Sequence, residues 1–266
     1  MSDDPLLVSE EAGIIICTLN RPAKLNALNR RMIIALREAV AVYAAREDLR
    51  VFLVRATGRY FSAGADRFDH GGPLPHPTSS SQVRDWYRTQ MMGGMQELYG
   101  TMEAIEKPFV AAHQATCIGG GLELSLHCDF RLAAKRASYG LPESKIGSIP
   151  ASGGISRLAR LVGVSWAKWM IMGGQAVSAD LAQTMGLVQA VYPDEEFEAR
   201  VMDFCRHLAG QPPEMMGIAK LTINLAADAD AASARMIERL GQSLLQNGQE
   251  RIELSAAMNR KLSKSP

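Results

Sequence analysis

The sequence predicts an α/β protein with buried parallel strands. Short β-branched apolar runs alternate with stretches of helical periodicity, and glycine-rich turns separate the two. Residues 13–18 (GIIICT) are brief and β-branched and read as a buried strand. Asn29 then stands where a helix cap belongs, ahead of Ile33, Leu36, Val40 and Tyr43 at helical spacing. Residues 51–56 (VFLVRA) form the next strand, closed by Thr57-Gly58. The following GRYFSAGAD is too rich in small residues for the interior of a helix or a strand. Residues 69–81 (DHGGPLPHPTSSS) are the clearest loop, either a passive surface loop, the preferred reading, or a mobile cover over a site. A helix is expected over about 83–105, then a strand at 109–112, a short glycine-opened helix in GGGLELSLHC and a strand at 130–134. From about 151 onward the pattern is almost wholly helical, apart from a strand at 187–192. These patterns divide the chain into a core, residues 1–193, and a helical C-terminal region, residues 194–266.

Composition narrows the function classes. The chain has 266 residues, 47% apolar and 21% charged, enough to bury a sizeable core. The formal net charge of +1, with both signs interspersed, gives no support for a nucleic-acid or anionic-membrane partner, while a small anionic ligand needs only a few local cations. Four cysteines without a CxxC pair (Cys17, Cys117, Cys128, Cys205) do not make a disulfide scaffold. The N-terminal MSDDPLLVSE lacks the basic and apolar regions of a signal peptide, and no apolar run approaches the roughly 18 residues of a membrane span. A cytoplasmic protein is expected.

The chemistry concentrates where glycine and alanine crowd a strand end or a helix start, since small residues let backbone N–H groups approach a ligand. In SAGAD (62–66) the candidate donor is the N–H of Ala65, and in IGGGLE (118–123) it is that of Gly120 at a helix N-terminus. Two such donors on one oxygen form an oxyanion hole, suited to a thioester carbonyl becoming an enolate. Glu123 lies between two leucines in a segment expected to be buried. Taken alone it reads equally well as a first-turn surface glutamate. Glu143, in GLPESKIGSIP, reads alone as a solvated loop carboxylate. Neither is informative in isolation; their joint occurrence with the two glycine-rich segments shifts the balance towards a functional reading.

These motifs resemble the enoyl-CoA hydratase/isomerase (crotonase) superfamily. The resemblance runs from NRPAKLNALN (20–29) through FSAGAD (61–66), IGGGLELSLHCDFRLAA (118–134) and YGLPESKIGSIPASGGISRLARLVG (139–163), and faintly to NGQERIELSAAMNRK (247–261). It implies a core of repeated ββα turns in a spiral and a helical C-terminal region that assembles trimers, often as dimers of trimers. It implies that Ala65 and Gly120 supply the oxyanion-hole amides. Ala63, Gly64, Asp66 and Gly119 would line the path of the substrate, and Lys24 would lie near the CoA nucleotide, although a plain surface lysine reads nearly as well. It also implies that Glu123 and Glu143 are the two glutamates hydratases use together, Glu123 on water and Glu143 on the α-carbon. No cofactor is implied, because coenzyme A belongs to the substrate.

The same resemblance leaves an isomerase or a carbon–carbon lyase on the same enolate chemistry as alternatives, and a non-catalytic CoA-binding or scaffolding protein behind them. Ala151 stands where hydratases of the common type carry glycine, and AAHQAT (111–116) replaces the usual AVNGYA. His113 is expected to be a satisfied buried histidine rather than a substrate contact. Trp166, Trp169, Met170 and Met172 are expected in the core or at subunit contacts, and Met91, Met92 and Met95 in helix packing. His127, Cys128 and Asp129 lack further ligands at metal spacing, so no metal is expected.

Overall fold

The computed structural model describes residues 4–66, 68–69, 79–90 and 93–262. Its strands are β1 (Leu6–Glu11), β2 (Ile14–Leu19), β3 (Val51–Ala56), β4 (Tyr60–Ser62) and β5 (Phe109–His113). They continue with β6 (Thr116–Ile118), β7 (Phe130–Ala134), β8 (Ser138–Gly140), β9 (Val177–Ser178) and β10 (Ala190–Tyr192). The larger sheet has the order β1-β2-β3-β5-β7-β10, with β1 antiparallel to β2 and every other pairing parallel. The smaller has the order β4-β6-β8-β9, parallel except for β8 with β9. The chain thus places β3, β5 and β7 in one sheet and their successors β4, β6 and β8 in the other, which is the expected repetition of ββα turns.

The parallel strands are mostly apolar because both faces are covered: every residue of β2 and of β5 is buried. Helix α1 (Arg30–Ala45) begins as expected, with the Asn29 side chain accepting from the Met32 N–H at 3.0 Å. It buries Met32, Ile33, Leu36, Val40 and Tyr43. Tyr43 meets Phe52 and Phe109, which are register partners on β3 and β5, at ring-centroid distances of 5.4 and 5.3 Å.

Several expectations are corrected. The helix expected over 83–105 is two, α2 (Ser80–Thr89) and α3 (Met95–Ala104). Gly93 and Gly94, both at positive φ, break the helical path between them. GRYFSAGAD does hold a strand, β4, whose three residues pair with β6 in the second sheet. The strand expected at 187–192 is confined to β10, and β9 interrupts the helical half. Strand β1 carries no alternating pattern. It forms because Ala12 and Gly13, both at positive φ, make a two-residue hairpin that sets Glu11 opposite Ile14. Of the loop at 69–81, residues 70–78 lie outside the described residues.

The remaining helices are α4 (Gly120–Leu126), α5 (Ser156–Ile171, interrupted at Gly163), α6 (Ala179–Thr184), α7 (Phe197–Ala209), α8 (Pro213–Ala226), α9 (Ala231–Gln246) and α10 (Gln249–Leu262). Contacts group Met1–Ile105 with Phe109–Ala209 in one compact unit, and Glu106–Pro108 with Gly210–Pro266 in a second. The expected boundary at 193/194 falls just before α7, which groups with the first unit and buries Phe197, Val201, Cys205 and Leu208. Within the second unit α8 and α9 pack closely: a Cβ on Gly241 would lie 2.5 Å from Thr222 Cγ2. No helix among the described residues is long and apolar enough to cross a membrane.

Candidate active site

The segment at 20–29 wraps the loop that follows β4. Asn26 is fully buried and adopts a left-handed conformation, φ 51°. Its amide donates to the carbonyls of Thr57 (2.7 Å) and Tyr60 (2.9 Å), and its oxygen accepts from the Arg21 N–H (2.7 Å). Ser62 donates its hydroxyl proton to the Asn26 carbonyl (2.8 Å) and accepts from the Gly64 N–H (3.1 Å). Backbone bonds from Ala63 N to Leu25 O, Leu28 N to Gly64 O and Asp66 N to Leu28 O complete the clasp. The N–H of Ala65 is left without an acceptor among the described residues.

Helix α4 starts against this loop. Glycine occupies three successive positions, and a side chain would be opposed differently at each. Gly119 has φ 55°; a Cβ on Gly120 would lie 3.1 Å from Ala65 N; a Cβ on Gly121 would lie 2.4 Å from Ser62 Cβ. The N–H of Gly120, in the first turn, also lacks an acceptor among the described residues. Ala65 and Gly120 therefore bring two unengaged amide donors together.

Both glutamates reach this place. Glu123, on buried α4, has its Oε1 held by the N–H groups of Ser152 (2.6 Å) and Gly154 (3.3 Å). Burial pushes its carboxyl up to about 7; the Glu143 carboxylate adds to the rise, and the two backbone donors oppose it. Glu143 stands on a 3₁₀ turn, Pro142–Ile146, with its Oε1 3.1 Å from where a Gly119 Cβ would be. Burial raises its pKa too, and its Oε2 is buried with no hydrogen-bond partner among the described residues. Two carboxyls with raised pKa thus adjoin two amide donors, an arrangement able to move protons on a substrate whose carbonyl oxygen gains negative charge.

The other expected site residues fall as follows. Ala63 and Gly64 form the loop itself; Gly64 has φ 91°, and a Cβ there would lie 3.0 Å from Gly120 N. Asp66 directs its carboxylate to Arg21 (2.9 Å) and to the N–H groups of Phe68 and Asp69. Burial works against its charge, but Arg21 and the N–H donors prevail and hold it below the usual carboxylate range. Lys24 is exposed at the end of a 3₁₀ turn. Ala151 is exposed, its carbonyl held by Gln96 at 2.9 Å. His113 is buried between Phe61 and Tyr139, with Nδ1 3.1 Å from the Tyr139 hydroxyl. Its Nε2 finds no partner among the described residues, so it is only half satisfied, and burial pushes it down to about 3. Met170 and Met95 are core residues, whereas Trp166, Trp169 and Met172 are exposed; Met91 and Met92 lie outside the described residues. Among the described residues no group of His, Cys, Asp and Glu is arranged to hold a metal ion.

Sequence reasoning missed the donors to Glu123, Ser152 and Gly154, and the anchors Asn26 and Ser62. The Gly153-Gly154 doublet signalled a tight turn, but nothing local said which side chain it would hold.

A family model for enoyl-CoA hydratase/isomerase matches residues 9–258, and the chain belongs to that family. The family acts on acyl-CoA thioesters. Among curated relatives, 2,3-dehydroadipyl-CoA hydratase of Escherichia coli K12 is 30% identical over 93% of this chain and 92% of its own length. Crotonyl-CoA hydratase of Syntrophomonas wolfei is 31% identical over 90% and 88%. A crystal structure of enoyl-CoA hydratase from Bacillus anthracis superposes with a TM-score of 0.87 at 29% identity, covering 97% of this chain and 96% of that one. The fold is that of the crotonase-type hydratases.

Proposed function

We propose that this protein is an enoyl-CoA hydratase, adding water across the 2,3 double bond of an enoyl-CoA thioester. The observation that carries the reading is the pairing of buried Glu123 with Glu143 beside the unengaged amides of Ala65 and Gly120. Glu123, ionised, takes a proton from the water as its oxygen bonds to the β-carbon. The thioester oxygen accepts the two N–H groups while it carries the enolate charge. Glu143, protonated, delivers its proton to the α-carbon. One base is enough to shuttle a proton between carbons, so two carboxyls favour hydration over isomerisation.

Binding follows the same reading. Ala63, Gly64, Asp66 and Gly119 line the thioester's path, Asp66 through its backbone because its side chain is held by Arg21. Lys24, exposed at the end of its 3₁₀ turn, is the cation proposed to lie near the CoA nucleotide. A homotrimer or a dimer of trimers is part of the proposal, supported by apolar side chains exposed on α9 and α10, such as Leu240, Leu244, Ile252 and Met258.

The test follows the ultraviolet absorbance of the conjugated thioester in crotonyl-CoA with the parent, Glu123→Gln and Glu143→Gln. Loss of absorbance with the parent, and a fall of about 10²-fold or more in both variants, is expected. Turnover of a 3-enoyl thioester with no hydration of any 2-enoyl thioester would instead make it an isomerase.

A further inference from the structure

His127, one turn after Glu123 at the C-cap of α4, is not used in the reaction above, yet it touches the Glu123 backbone and the turn beside its carboxylate. Its Nδ1 lies 2.8 Å from the Glu123 carbonyl oxygen and its Nε2 lies 3.1 Å from Glu103 Oε1. Its ring stacks on Tyr99, with centroids 4.6 Å apart at 27°. It also abuts Gly153, where a Cβ would lie only 2.2 Å from His127 Cε1. Gly153, at φ 90°, is the residue between the two N–H donors to the Glu123 carboxylate, Ser152 and Gly154. One imidazole therefore fixes both the backbone of Glu123 and the turn that clasps its side chain.

Each ring nitrogen faces an oxygen acceptor, and a neutral imidazole can serve only one of them. The shorter contact assigns the proton to Nδ1, on the Glu123 carbonyl. Arg157, 3.3 Å from Glu103, supplies that carboxylate with a cation, and its Nε also donates to the Leu126 carbonyl at 3.0 Å. The ionisable groups that act on Glu123 and His127 are Glu143, Tyr99, Glu103, Arg157 and Arg131.

We propose that His127 is a positioning residue for Glu123: its ring is the wedge that keeps the Ser152–Gly154 turn seated on the Glu123 carboxylate. This rests on the reading of Glu123 as the acid/base residue, but its test needs no turnover. The ionisation of Glu123 is followed by ¹³C NMR of carboxyl-labelled glutamate in the whole protein, with Glu123→Gln assigning the resonance. Without the wedge the turn recedes and the two donors weaken. His127→Ala is therefore expected to raise the Glu123 midpoint by about one pH unit, while His127→Met, which refills the space, moves it by less than about half as much. Gly153→Ala, which forces a methyl against the ring and strains the turn at φ 90°, is expected to raise the midpoint as well, and an unchanged midpoint there decides the matter if His127→Ala does not fold. An unchanged midpoint in the folded His127→Ala or Gly153→Ala protein overturns the proposal, as does a His127→Met midpoint displaced as far as that of His127→Ala. Absence of hydratase activity in the parent would overturn the proposed function while leaving this comparison intact.

Discussion

A methyl group on Gly120 would lie 3.1 Å from the amide nitrogen of Ala65, closer than ordinary van der Waals contact, so a side chain there crowds the space in front of the Ala65 N–H. Gly120 has no positive φ, and alanine is the better helix former, so Gly120→Ala tests the space rather than the backbone. Blocking the two amides is expected to lower kcat/KM about 10²-fold or more, the scale of losing an oxyanion donor. Steady-state kinetics beside thermal unfolding checks this. Parent-like turnover in a folded Gly120→Ala protein would remove these amides from the mechanism.

The raised carboxyl of Glu123 has two consequences with defined signs. On the proposed mechanism the ionised form is the active one, so kcat/KM should rise with pH through a midpoint near 7, a limb belonging to the coupled glutamate pair and absent from Glu123→Gln. Stability moves the other way. Below the ordinary value of 4.5 the group is protonated both folded and unfolded, and it contributes nothing. Between 4.5 and about 7 the folded state binds more protons, so stability falls as pH rises, and above 7 the full penalty is present. Glu123→Gln is thus expected to be more stable than the parent at alkaline pH, by up to about 3 kcal/mol, with the gap closing towards acid pH. Urea unfolding across pH measures it; a gap that widens on acidification would contradict the burial of this charge.

The parts of the fold that a residue's own neighbours dictate were legible in the sequence. The β-branched runs of β2 and β3 and the Asn29 cap fall where periodicity puts them. Strands β4, β6 and β8 were not legible, because each has only three residues and takes its conformation from pairing with segments distant in sequence. The site divides in the same way. Glycine-rich segments beside small loops marked Ala65 and Gly120, since the need for close backbone approach is written locally. The clasp on Glu123 spans 29 and 31 residues of sequence, and no local pattern encodes it. In the sequence His127 is weighed only as a metal ligand, for the same reason: its stacking on Tyr99 and its contact with Gly153 exist only once three segments have met.

Asn26 offers the last test, because it anchors the loop bearing Ala65 without touching the reacting atoms. Asn26→Ala deletes the donor on which the Thr57 carbonyl depends and the acceptor for the Arg21 N–H; the Tyr60 carbonyl keeps the bond from Gln114 at 3.0 Å. It also sets a Cβ-bearing residue without a compensating side-chain bond at φ 51°. Two orphaned part-buried groups and the backbone strain together are expected to destabilise the protein by about 2–4 kcal/mol. Asn26→Gly, which removes the strain but not the lost bonds, should recover about 1 kcal/mol of that. Because the Asn26 carbonyl receives the Ser62 hydroxyl, and Ser62 in turn holds Gly64, a looser clasp should also let the Ala65 N–H wander from its aim. The expected kinetic signature is a fall of about tenfold in kcat with a smaller change in KM, since the donor acts most strongly on the developing oxyanion. Chemical denaturation and steady-state kinetics on the same preparations check both effects. An Asn26→Ala protein as stable and as active as the parent would mean that the backbone bonds of Ala63, Leu28 and Asp66 hold the loop unaided.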